Sequence, residues 1–186
     1  MKLTVTELKK QLNTLDKKQL IQLFADLHKV DVKAQQFLYM KFQGEEAAEQ
    51  LLQKSKEKLA KAFGINSRGS YNLHLPTLKN EIKEFEKLSG NLEKTTDLQL
   101  YFVELGTDFT VTYGDIDERF YTDMEKMFTT VVNTCNKHEA LYKVFAERLN
   151  AVMKNSEGVG WGYNDHIEEV YYTLNFLDEE FEDDDE

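Results

Sequence analysis

The sequence predicts an all-α fold: an irregular array of about nine antiparallel-packed helices, arranged as stacked hairpins in the manner of an α-α superhelix. Three observations carry this. The nine glycines and Pro76 fall between periodic apolar segments and rarely inside them, which is how helix-rich chains keep their helices whole. Apolar residues recur at spacings of three and four through most of the 186 residues, the period of one helix face. Strand-like alternation is scarce; its best instance, Phe109–Tyr113 (FTVTY), is too isolated to build a sheet.

The elements follow in order. A short first helix is expected from about Thr6 to Thr14, with Leu8, Leu12 and Leu15 on one face. Asp16 with Gln19 three residues later has the pattern of a capping box, and Leu20, Leu23, Phe24 and Leu27 form the stripe of the second helix. Asp31 caps a third helix running to Phe42, and Gly44 ends it. Glu45 to Phe63 reads as one long helix, acidic at its start and lysine-rich at its end as the helix dipole favours, with Gly64 as its C-terminal cap. Residues 65–75, INSRGSYNLHL, are the most loop-like interior stretch and the expected boundary if the single domain (residues 1–177) has two lobes.

Pro76 suits the first turn of a fifth helix through Leu78, Ile82, Phe85 and Leu88, stopped near Gly90. Thr96 or Asp97 is expected to open the sixth, with Leu98, Tyr101, Phe102, Leu105 and Phe109 inward, Gly106 loosening or bending it and Gly114 ending it. Asp117 starts a seventh, along which Phe120, Met124, Met127, Phe128, Val131 and Cys135 make an apolar stripe. An eighth, about Glu139 to Asn155, turns Leu141, Phe145, Leu149 and Val152 inward. The last begins near Asn164 and presents Ile167, Val170, Tyr171, Leu174 and Leu177.

The net charge of −11 is unevenly placed. Residues 1–63 hold 12 lysines and 8 acids, and the last nine residues hold 8 acids and Phe181. Segment 178–186 is thus expected to be a disordered acidic tail. The lone Cys135 rules out an internal disulfide and, lying on an apolar stripe, reads as a core thiol with His138 one turn away. The N-terminal residues lack the apolar run of a secretory signal, and no stretch approaches the 18 or so apolar residues of a membrane span. A cytoplasmic, non-membrane protein is expected.

No metal site and no cofactor are predicted. A di-iron bundle needs Glu three residues before a ligating His, but Ala25, Tyr71, Cys135 and Tyr163 precede the four histidines. The zinc-protease spacing is absent as well. Gly158, Gly160 and Gly162 precede a helix yet follow one too, so they form neither a dinucleotide fingerprint nor a phosphate loop; a tight turn with Trp161 plugging the core is expected. Tyr113-Gly-Asp-Ile-Asp-Glu118 gathers three carboxylates at a helix start, where capping is their ordinary use. These two turns supply the candidate binding cluster Asp115, Asp117, Glu118, Trp161, Asp165 and His166, with no residue singled out as catalytic.

The stretches LKKQLNTLDKKQLIQLF, LQLYFVELGTDFTVTYGDIDERFYTDMEKMF and GVGWGYNDHIEEVY resemble a family of small, all-helical, intracellular bacterial proteins of unknown function. The resemblance spans most of the chain except the acidic tail. It implies a helical fold and marks the Tyr-Gly-Asp-Ile-Asp and Gly-Trp-Gly motifs as its signature, but brings no activity.

Three functions are consistent with these residues. The first is a non-enzymatic helical module that binds a protein partner, which predicts an apolar groove or patch. The second is a small-ligand binder or hydrolase-type enzyme built on the carboxylate and histidine cluster, which requires the two turns to meet. The third is weak nucleic-acid binding through the lysine-rich first third, against which stands the interleaving of those lysines with glutamates.

Overall fold

The computed structural model describes residues 3–64 and 73–177. Most of the expected lobe boundary at 65–75 and the whole acidic tail at 178–186 lie outside the described residues. Among those residues the chain forms nine helices and no strand: α1 (Val5–Leu12), α2 (Lys17–Val30), α3 (Val32–Gln43), α4 (Glu45–Phe63), α5 (Leu75–Ser89), α6 (Leu92–Tyr113), α7 (Glu118–Cys135), α8 (Glu139–Asn155) and α9 (Tyr163–Tyr171). By packing they divide into two units, Met1–Ala47 and Ala48–Glu186. The segments on either side of 65–75 belong to the same unit.

The first unit is α1 to α3 with the opening residues of α4. Its helices are set by caps. Thr4 and Glu7 form a reciprocal capping box, so α1 begins at Val5, just before the expected Thr6. Asp16 accepts from the Gln19 backbone at 2.8 Å while Gln19 accepts from the Asp16 backbone at 2.9 Å, the expected box. Asp31 does two jobs. Its N–H donates to the Leu27 carbonyl at the end of α2, and its carboxylate accepts from Ala34 N–H at 3.0 Å at the start of α3. One residue therefore separates α2 from α3, which pack together as a hairpin. Neither α1 nor α2 has a buried residue, and in α3 only Met40 is buried.

The second unit holds the core. Its central helix is α6, which packs against α5, α7 and α8, while α9 packs on α7 and α8. Leu98, Leu100, Phe102, Val103 and Phe109 of α6 are all buried, as a helix covered by neighbours on several faces must be. The inward stripes of α7 and α8 are as the sequence predicts, with Phe120, Met124, Phe128, Val131 and Cys135 facing Leu141, Phe145, Leu149 and Val152 in one core. Phe63 at the end of α4 meets Phe102 and Phe109 edge-on, each at 5.8 Å between centroids.

The expected start of α6 needs correction. α6 begins at Leu92, capped by Asn91, and not at Thr96 or Asp97. The Thr95 and Thr96 hydroxyls donate to the carbonyls of Asn91 and Leu92 one turn back, which satisfies them inside a helix. FTVTY forms no strand, as expected, and is the last part of α6, which Gly114 ends. Gly106 marks a close approach: a Cβ there would run into the Met124 sulfur of α7.

Candidate functional site

The two glycine-marked turns meet. Asp115, in the turn between α6 and α7, lies against Gly160 of the turn between α8 and α9, its Oδ1 3.6 Å from where a Cβ on that glycine would sit. The Trp161 ring stacks on Tyr121 of α7, 6.3 Å between centroids and 20° between planes.

A buried tyrosine pair underlies this contact. Thr107 donates its only hydroxyl proton to the Val103 carbonyl at 2.9 Å, so in its 2.7 Å bond with Tyr163 the phenol is the donor. Tyr163 is fully buried at the start of α9, and burial pushes its phenol upward, which keeps it neutral. Its ring lies 5.5 Å from that of Tyr121. Tyr121 donates to Asp115 Oδ1 at 3.2 Å and shares a 2.7 Å bond with the Thr110 hydroxyl, which also reaches the Gly114 carbonyl at 3.3 Å. A chain of hydroxyls thus runs from α6 through α7 to the Asp115 carboxylate at the surface.

The remaining cluster members are more dispersed in role. Asp117 is the N-cap of α7, accepting from Phe120 N–H at 2.8 Å. Glu118 and Asp165 are exposed in the first turns of α7 and α9. His166 is half-buried, with Nε2 3.2 Å from the Thr129 hydroxyl on α7. The structure therefore brings Asp115 and Trp161 together on Tyr121 and ties His166 to the side of α7.

Trp161 does not plug the core. It is 59% exposed and adopts φ 62, the left-handed region that side chains seldom enter. That turn throws the indole outward, and Tyr163, two residues on, enters the core in its place.

Cys135 is buried, and burial pushes its thiol up to about 11; it stays protonated at neutral pH, a weak nucleophile and metal ligand. Between the ordinary thiol range and that value the folded state retains a proton that the unfolded chain releases, so this residue lowers stability as pH rises through that window. His138 is exposed. Among the described residues no group of three or more His, Cys, Asp or Glu side chains is arranged to hold a metal ion, and no helix is long and apolar enough to cross a membrane.

A second feature lies in the first unit. Between α2 and α3 runs a groove of about 750 Å³ whose apolar lining is Ile21, Phe24, Ala25, Leu38, Tyr39 and Phe42. Among the described residues its polar lining is His28, Lys29, Gln35 and Gln43, with no carboxylate. The Gln35 amide donates to the His28 carbonyl at 2.7 Å and bridges the two helices. Phe42 is 81% exposed, Ile21 60% and Phe24 49%.

The signal for this face is present in the sequence but ambiguous. At 100° per residue, the apolar residues of α2 from Val30 through Leu23, Leu27, Leu20 and Phe24 to Ile21 cover an arc of about 180°. One core-facing stripe needs only about 100°. Reading Leu20, Leu23, Phe24 and Leu27 as the inward stripe leaves Ile21 as surplus.

In comparison with known proteins, no family model, no curated protein and no solved structure matches this chain.

Proposed function

We propose that this chain is a non-catalytic helical interaction module and that the groove between α2 and α3 is its partner-binding face. One observation supports this above all: a 14-residue and a 12-residue helix pack as a hairpin and leave most of their large apolar side chains open to solvent. Contiguous apolar surface of this kind marks interaction sites in folded proteins, and a two-helix groove is a known receptacle for a partner helix. The resemblance to a small helical family adds no activity to this reading.

A photo-crosslinking residue at position 42 is expected to give a discrete, saturable protein adduct in cells, while the same residue at position 144, 56% exposed on α8, gives none. Equal adducts at both positions, or none at 42, would remove the reading.

A second reading, a small-ligand site at the joined turns, is favoured by Asp115 lying against Gly160 beside an exposed, stacked Trp161 in a strained backbone conformation. Trp161 is the only tryptophan, so its emission reports on this spot alone. Saturable quenching or a spectral shift with a small polar or aromatic metabolite, lost in Asp115→Ala, is the expected result. An unchanged spectrum across a broad metabolite panel argues against it.

A further inference from the structure

We propose that the occupant of the α2–α3 groove is an acidic amphipathic helix of a partner protein. The assignment rests on the groove being a docking face and adds the chemistry of what docks there. Three properties of the groove point the same way.

The first is charge. Residues 17–43 carry five lysines and two aspartates, a net of +3. Both aspartates are already engaged: Asp31 caps α3, and Asp26 accepts from Gln22 and lies 3.6 Å from Lys29. The hairpin is net basic, and the described lining of the groove itself holds Lys29 and no carboxylate, so a carboxylate-bearing partner gains where a basic one is repelled.

The second is size. α2 is about 21 Å long, which matches a partner helix of about four turns. At roughly 200 Å² for a fully exposed large apolar side chain, the open fractions of Ile21, Phe24, Tyr39 and Phe42 leave on the order of 500 Å². That is a large share of the roughly 800 Å² that one partner gives to a standard interface. Covering it requires apolar anchors at i, i+3 or i+4, and i+7 on the incoming helix.

The third is the weakness of the alternatives within this chain. A second copy meeting by the same face would set +3 against +3 in an isologous contact. The chain's last nine residues have the right sign but offer one apolar residue, Phe181, among eight acids, too little to fill a groove with six apolar lining residues.

The test uses the full chain and two labelled peptides of about fourteen residues, the length of α2. Both carry leucine and phenylalanine on one helical face; one has glutamate and the other lysine on the opposite face. Fluorescence anisotropy is expected to show saturable binding of the glutamate peptide and at least about tenfold weaker binding of its lysine isomer. Added salt should weaken the glutamate peptide several-fold. Phe42→Asp, at a position exposed enough to leave helicity unchanged by circular dichroism, should abolish binding; Phe24→Asp serves as an independent second variant.

Equal binding of both isomers would overturn the acidic assignment and leave the docking face standing. Self-association in sedimentation that Phe42→Asp abolishes, with both peptides silent, would assign the groove to a second copy instead. A peptide of residues 178–186 that binds as tightly as the glutamate probe would assign it to the chain's own terminus. Silent peptides with a positive crosslink at position 42 defeat only the partner chemistry, whereas silence in both experiments defeats the interaction reading itself.

Discussion

Replacing Tyr163 by alanine is expected to lower the stability of the second unit by about 3–5 kcal/mol, and replacing it by phenylalanine by only about 1 kcal/mol. The alanine variant empties a fully buried site and removes the ring that contacts Tyr121. The phenylalanine variant keeps the ring and loses one hydrogen bond. Thr107 still donates to the Val103 carbonyl, so no buried donor is orphaned. The difference extends to the surface. Tyr121 carries both the Asp115 hydrogen bond and the Trp161 stack, so Tyr163→Ala should also change native-state Trp161 emission, while Tyr163→Phe should not. Chemical denaturation followed by far-ultraviolet circular dichroism gives the stabilities. A phenylalanine variant as unstable as the alanine variant would show that the hydroxyl, and not the ring, holds this corner.

That corner shows where sequence patterning succeeds and where it stops. The meeting of the two turns is posed by the sequence, because glycine marks both and acids cluster at one. The identity of the core anchor is not. Trp161 is the larger aromatic and sits between two glycines, so it reads as the plug; the deciding fact is its left-handed φ of 62, which no spacing rule encodes. Caps behave similarly. Asp16, Asp31 and Asp117 stand at the edge of an apolar stripe, where capping is the ordinary use of a carboxylate, and each caps the helix expected of it. Thr95 and Thr96 have two uses, capping or donating back along a helix, and periodicity alone does not choose between them. The bounds of α4 were legible because its ends carry complementary charge and Gly64 follows; the Gly64 N–H closes the last turn on Ala60.

The groove was obscured for a different reason. An apolar pattern specifies which face avoids water, but not whether the chain itself supplies the cover. In α7 and α8 the stripes are covered by neighbouring helices of the same unit. In α2 the apolar arc is wider, and Phe24 and Leu27 remain 49% and 44% exposed. The two cases look alike residue by residue and differ only in what packs over them.

Arg148 tests how the second unit is tied together. Replacing it by methionine is expected to cost about 2 kcal/mol, a fall in Tm of about 4–8 °C for a chain of this size. The guanidinium makes a bidentate pair with Glu104 at 2.7 and 2.8 Å and a third bond to Asp97 at 2.6 Å. Burial pulls its pKa down, but the bonds to Glu104 and Asp97 outweigh that and raise it, so it is charged at every accessible pH. Asp97 also accepts from Lys56 of α4 at 2.7 Å, so the network joins α4, α6 and α8. Full burial of such a pair would make removal of one partner cost about 3–5 kcal/mol; here the Arg148 side chain is 32% exposed, and solvent screening reduces the figure. The loss falls mainly on Glu104, since Asp97 keeps Lys56. The double variant Arg148→Met with Glu104→Met should therefore recover most of the stability, because the unpaired carboxylate is gone and apolar atoms fill its place. If thermal denaturation finds the double variant no better than Arg148→Met alone, the cost lies in the lost contact of the guanidinium over the Phe145 ring and not in the stranded charge.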